Sequence, residues 1–124
     1  MNLAGQSIAI LGAGRSGLGA SRLARLLGAR PVVFDTGDAS KLAGDFARLR
    51  AESIDLVSGL NDAKRSAATE NFDLAVISPG IDAGWELPRL FTSRRVPLKL
   101  TPVRGALSAL KLVVVGSVTT GLST

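Results

Sequence analysis

The stretch Gly12-Ala13-Gly14-Arg15-Ser16-Gly17 constrains this chain more than any other. It follows a continuous apolar run, Ser7 to Leu11 (SIAIL), and opens a segment with helical spacing, Ser16 to Leu27. Glycines between a strand and a helix allow a tight turn, a backbone open to close approach, and a helix packed hard against the strand. The apolar run does not alternate with polar residues, as in a strand buried on both faces of a sheet. Leu18, Leu23, Leu26 and Leu27 are spaced to face that sheet, and Gly28 suits the C-cap. Pro31 to Asp35 (PVVFD) reads as the next strand, with Pro31 tolerable at its start. Residues 6–35 are therefore expected to form a βαβ unit.

The alternation continues. Helices are expected over Ala39–Glu52, carried by Leu42, Phe46 and Leu49, over Asp62–Glu70, over Glu86–Ser93 and over Val103–Leu110. Strands are expected over Ile54–Val57, Phe72–Ser78, Val96–Leu100 and Leu112–Val115. Such alternation predicts an α/β fold: a Rossmann-like, doubly wound parallel sheet of five to six strands with helices on both faces. With 124 residues, 46% of them hydrophobic and 20% charged, the chain can bury one core. In the usual strand order the first and fourth strands flank the switch point, where ligands bind. That order brings the Gly12 turn beside Gly80, and a third glycine turn, at Gly116, is expected along the same edge.

Several chemistries are excluded by missing residue types. There is no His, Cys or Tyr, so the commonest general bases and nucleophiles are absent, as are imidazole and thiolate zinc ligands. No catalytic residue and no metal site is expected on this chain. No apolar run nears the ~20 residues of a membrane span. The N-terminus lacks the pattern of a secretory signal, and an intracellular setting is the default expectation. The net charge of +5 is concentrated late: from residue 83 onward Arg89, Arg94, Arg95, Lys99, Arg104 and Lys111 face one acid, Glu86. A nucleic-acid interface would interleave such charge with exposed aromatics. Phe34, Phe46, Phe72, Trp85 and Phe91 are the only aromatics and most sit at core-like positions, so a solvated basic face is expected and a nucleic-acid partner is not.

The glycine turn matches GxGxxG in its required context, after a strand, before a helix, and with an acid, Asp35, ending the next strand. The helix N-terminus would offer N–H groups and a positive dipole end to a phosphate. Ser16 could donate to phosphate or cap the helix. Arg15 could supply charge at the mouth or be solvated. Asp35 could accept from a ribose diol, which would make the ligand NAD, or from a base N–H. As the surface end of a strand it is expected to serve ligand more than stability.

Three segments together, LAGQSIAILGAGRSGLGASRLARLLGA at the start, VVFDT at Val32 to Thr36 and DLAVISPGI at Asp73 to Ile81, resemble the N-terminal domain of the MurD-type ligases. These are cytoplasmic, D-glutamate-adding enzymes of peptidoglycan precursor synthesis. The resemblance covers residues 1–98 and implies a Rossmann-like domain that holds UDP rather than NAD. It implies that Gly14, Arg15, Ser16 and Gly17 contact the diphosphate, that Asp35 and Thr36 read the uracil, and that Gly80 borders the uridine. The alternatives are a turn residue for Thr36 and a plain strand stop for Ser78-Pro79-Gly80. In the full-length family ATP and Mg bind a central domain, whose phosphate loop is close to GTNGKST. The resemblance implies that residues 99–124 are a diverged or truncated start of that domain. Here Val118 to Thr124 reads VTTGLST, with Leu122 in place of the lysine, and Lys99 to Gly105 (KLTPVRG) lacks the expected acidic signature. The implied partner is UDP-N-acetylmuramoyl-L-alanine or another UDP ligand, bound by a monomer that is not catalytic alone. Two rival readings stay open: a stand-alone NAD-binding regulatory module, and a structural turn whose basic C-terminal third docks a protein or an RNA.

Overall fold

The computed structural model describes residues 3–78, 81–82, 84–94 and 96, and the backbone of 98–100 and 113–115. The elements run β1 (Ser7–Leu11), α1 (Arg15–Leu26), β2 (Arg30–Asp35), α2 (Ala43–Ala51), β3 (Asp55–Ser58), α3 (Leu60–Thr69), β4 (Leu74–Ile77), α4 (Glu86–Thr92), β5 (Leu98–Leu100) and β6 (Val113–Val115). The helix expected over Val103–Leu110 lies outside the described residues, as do Gly80, Gly116 and the 118–124 stretch.

The sheet order is β3-β2-β1-β4-β5-β6. β1 lies parallel between β2 and β4, with Leu11 level with both Phe34 and Ile77. The first and fourth strands are thus neighbours, as the switch-point argument requires. β6 corrects the all-parallel expectation. It runs antiparallel to β5 and pairs Val115 with Leu98, so its carboxyl end lies at the opposite edge from Leu11 and Ile77. Apolar length identifies a buried strand but carries no direction.

Alternation along the strands splits the core into two layers. Ile8, Ile10, Val33, Leu74 and Val76 pack on one face with Leu18 and Ala24 of α1 and Phe46 and Leu49 of α2. Ala9, Leu11, Val32, Phe34, Ala75 and Ile77 pack on the other with Ala63 and Ala67 of α3 and Leu87 and Phe91 of α4. This is a Rossmann-like α/β fold with both faces of the sheet covered. On the second face Phe34, Phe72 and Phe91 meet edge to face, with ring centroids 5.1 to 5.6 Å apart. Each such pair adds roughly 0.5–1.5 kcal/mol beyond its area burial.

One expectation about helix faces changes. α1 buries Gly17, Leu18, Ser21 and Ala24, while Leu26 is 80% exposed. Small residues line the buried stripe because the helix start presses against the turn before it. α3, which has few large apolar residues, is held through Ala63, Ser66 and Ala67, which let it lie close to the sheet.

Candidate functional site

The three glycines divide by role. Gly12 has φ +115°, and a Cβ there would lie 2.5 Å from Ser78 Oγ and 3.2 Å from Ile81 Cδ1. Its amide donates to the Phe34 carbonyl at 2.8 Å, while the Ser78 amide donates to the Leu11 carbonyl at 3.1 Å. The end of β1 is therefore tied to β2 on one side and β4 on the other. A Cβ on Gly17 would overlap the Gly12 carbonyl oxygen, so the first turn of α1 rests directly on the turn. Gly14 differs from both. It is the helix N-cap, with φ −74° and ψ −163°, and a Cβ there would meet nothing within 4 Å. The fold itself makes no demand for glycine at this position, and the space in front of it is open.

The helix start is suited to an anion. Its first turn contains no acidic residue and its N-cap makes no side-chain hydrogen bond. The Leu18 amide reaches back to the Gly14 carbonyl at 3.0 Å, which leaves the Arg15, Ser16 and Gly17 amides ahead of the hydrogen-bond ladder. Ser16 is half-buried one residue inside the helix and does not cap it, against that alternative. Arg15 is exposed, and no ion pair among the described residues includes it.

Asp35 is not a free strand end. Its Oδ2 accepts from the Ala13 amide at 2.9 Å and its Oδ1 from the Gly37 amide at 2.7 Å. The half-buried carboxylate thus joins the glycine turn to the loop after β2, and this corrects the expectation that it contributes little to stability. A carboxylate offers about four lone-pair sites, so these two bonds leave capacity for a ligand N–H. Thr36 is exposed on the same loop. Beyond it, Asp38 Oδ1 accepts from the Ser40 hydroxyl at 2.8 Å and the Ser40 amide at 2.9 Å. These bonds, the hydroxyl first, hold the Asp38 carboxyl below its usual range.

Gly14, Arg15, Ser16, Gly17, Asp35 and Thr36 therefore gather at the carboxyl ends of β1 and β2, and Gly80 lies outside the described residues. Ala13 carries no signal in the sequence, because its contribution is a backbone amide. Nor does Ile81, whose side chain reaches Gly12. Ser78 Oγ is buried against Gly12, without a hydrogen-bond partner among the described residues. A cleft of about 330 Å³ lined by Asn71, Phe72, Phe91 and Arg94 lies elsewhere, at the amino end of β4, and includes none of the expected site residues.

No protein-family model matches the chain. It is 35% identical over 95 residues to the UDP-N-acetylmuramoylalanine–D-glutamate ligase of Geobacter metallireducens, covering 77% of this chain and 20% of that enzyme. It is 38% identical over 87 residues to the ligase of the same name from a Synechococcus species, covering 68% of this chain and 18% of that one. The chain carries a region related to these ligases. It spans about a fifth of the length of the relatives it matches. Among solved structures, MtNAS in complex with MTA and tNA superposes with a TM-score of 0.55 at 13% identity, over 98% of this chain and 45% of that one. A mutant of MtNAS with S-adenosylmethionine gives 0.56 at 16% identity, over 95% and 47%. Likeness at that level concerns the α/β fold alone. No helix among the described residues is long and apolar enough to cross a membrane.

Proposed function

We propose that this chain is the UDP-sugar-peptide binding region of an ATP-dependent, D-glutamate-adding ligase of cytoplasmic peptidoglycan synthesis, a monomer that takes UDP-N-acetylmuramoyl-L-alanine. The observation that carries the reading is Gly14: a glycine that neither its φ nor its neighbours require, facing open space at an acid-free helix N-terminus. A phosphate can approach such a backbone closely and meet the Arg15, Ser16 and Gly17 amides. The Ser16 hydroxyl adds a donor and Arg15 a positive charge. Uracil presents one N–H and two carbonyls. Asp35 has capacity left for that N–H, with Thr36 beside it, and Gly80 is proposed to border the uridine from the neighbouring strand end. Similarity to enzymes named for a UDP-linked substrate favours UDP over NAD as the diphosphate taken here.

ATP and Mg are proposed to act in a further domain of the whole enzyme, and no ATP step is assigned to this chain. Leu122 stands where the lysine of a phosphate loop would meet the transferring phosphate. Calorimetric titration of the chain with UDP, UDP-N-acetylmuramoyl-L-alanine and NAD tests the reading. The uridine ligands are expected to bind more tightly than NAD. Preference for NAD would replace the proposal with the dinucleotide module, and silence from all three would leave the turn a purely structural device.

A further inference from the structure

We propose that Asp35 is a positioning residue for the anion-binding turn, acting through the Ala13 amide and not only through a ligand. This rests on the nucleotide-binding reading and deepens it. The two oxygens of one carboxylate hold two separate loops: Oδ2 takes the Ala13 amide and Oδ1 the Gly37 amide. Ala13 is the single residue between Gly12 and Gly14, and its side chain is buried. Its amide therefore sets the direction of the peptide that leads into the Gly14 N-cap. Glycines on both sides give the turn the freedom to relax once that amide loses its acceptor. A part-buried N–H without a partner is costly, so the turn would rotate to find water. A negative carboxylate beside an anion site opposes the anion through space. Its service to a phosphate therefore runs through the backbone it holds. The consequence is that the base-reading end of β2 and the phosphate turn of β1 behave as one unit.

Inorganic pyrophosphate is the discriminating probe, because it has no base or ribose for Asp35 to touch. With the full chain, D35A is expected to bind pyrophosphate about tenfold more weakly than wild type, the order of effect of one lost hydrogen bond. D35N has one carbonyl for the two amides; the part-buried Ala13 amide is expected to take it and the exposed Gly37 amide to turn to water, so its affinity should stay within about threefold of wild type. The Ala13 amide proton resonance should move upfield in D35A and stay near its wild-type position in D35N. Undiminished pyrophosphate binding in D35A, or an equal loss in both variants while the D35N Ala13 amide keeps its wild-type position, would overturn the proposal. Thermal unfolding checks that each variant is folded. If D35A is not, D35N decides alone: affinity lost while the Ala13 amide keeps its position, or kept while that amide is displaced, contradicts the mechanism. A wild-type chain that binds neither UDP nor pyrophosphate removes the nucleotide reading itself, a result distinct from any of these.

Discussion

A Cβ on Gly17 would overlap the carbonyl oxygen of Gly12, so the first turn of α1 sits on the backbone of the turn that precedes it. Gly14, midway between them, faces open space. The two positions are therefore expected to respond oppositely to the same substitution. G17A forces helix and turn apart and should cost about 3 kcal/mol or more, at or beyond the upper end of ordinary overpacking. G14A should leave stability within about 1 kcal/mol, since only the N-cap preference changes. It should nonetheless weaken UDP by about tenfold or more by blocking close approach of the phosphate. Urea unfolding and calorimetry on the two variants separate these effects. Equal destabilisation would mean that Gly14, too, serves the fold.

Those glycines also mark the limit of what the sequence reveals. The GxGxxG spacing and the flanking apolar runs sufficed for the βαβ unit, because strand burial and helical period leave direct traces in residue type. Strand adjacency followed from topology, and β1 indeed pairs with β2 and β4. The hydrogen bond between Asp35 and the Ala13 amide left no such trace. It depends on β1–β2 register, with Leu11 opposite Phe34, and a backbone donor has no letter. Leu26 departs from its expected face for a related reason. The leucines suggested one face, but close contact of α1 with the turn selects Gly17, Ser21 and Ala24 for the buried stripe. Leu26 lies two residues past Ala24, roughly 200° round the helix.

Acid should weaken the contact between α1 and the end of α2. Arg22 Nε donates to Glu52 Oε1 at 2.9 Å, and Arg22 Nη2 also pairs with Oε2. The hydrogen bonding from Arg22, ahead of its charge, lowers the Glu52 carboxyl below its ordinary value of 4.5. A depressed folded-state value means that the stabilisation is present above the unfolded value and is lost as pH falls through the folded one. The urea midpoint should therefore drop on acidification below pH 4.5, and less steeply in E52Q than in wild type. Asp38, also depressed, adds to the same slope, so E52Q should flatten only part of it. An unchanged slope in E52Q would show that the exposed pair contributes nothing, as many surface pairs do.

Ser53 carries the described residues' positive φ outside glycine, +57°, just past the end of α2. Arg25 holds it there, donating from Nη2 to the Ser53 carbonyl at 2.6 Å and from Nη1 to that of Glu52. S53G should stabilise the chain by up to about 1 kcal/mol, because glycine takes the left-handed region without a Cβ penalty. R25A should cost about 1 kcal/mol, since two carbonyls at a helix end lose a charged donor. Chemical unfolding of both variants and of the pair checks this. If Arg25 imposes the left-handed turn, R25A and S53G should be non-additive, because removing the clamp frees Ser53 to leave that conformation.

The chain alone is expected to show no ligase activity. Incubated with UDP-N-acetylmuramoyl-L-alanine, D-glutamate, ATP and Mg, it should release no inorganic phosphate above background. The proposed site holds a substrate's diphosphate and uridine at the ends of β1 and β2. Amide-bond formation needs, in addition, a group that meets the transferring phosphate of ATP. The stretch resembling that loop offers Thr119, Thr120 and Gly121 but carries Leu122 at the lysine position. Loss of that charge removes electrostatic stabilisation on which phosphoryl transfer chiefly depends. L122K alone should not restore turnover, since Val118 also replaces the loop's first glycine. Phosphate release by the unaltered chain would require an ATP site built from residues other than these, and would contradict the assignment of binding alone.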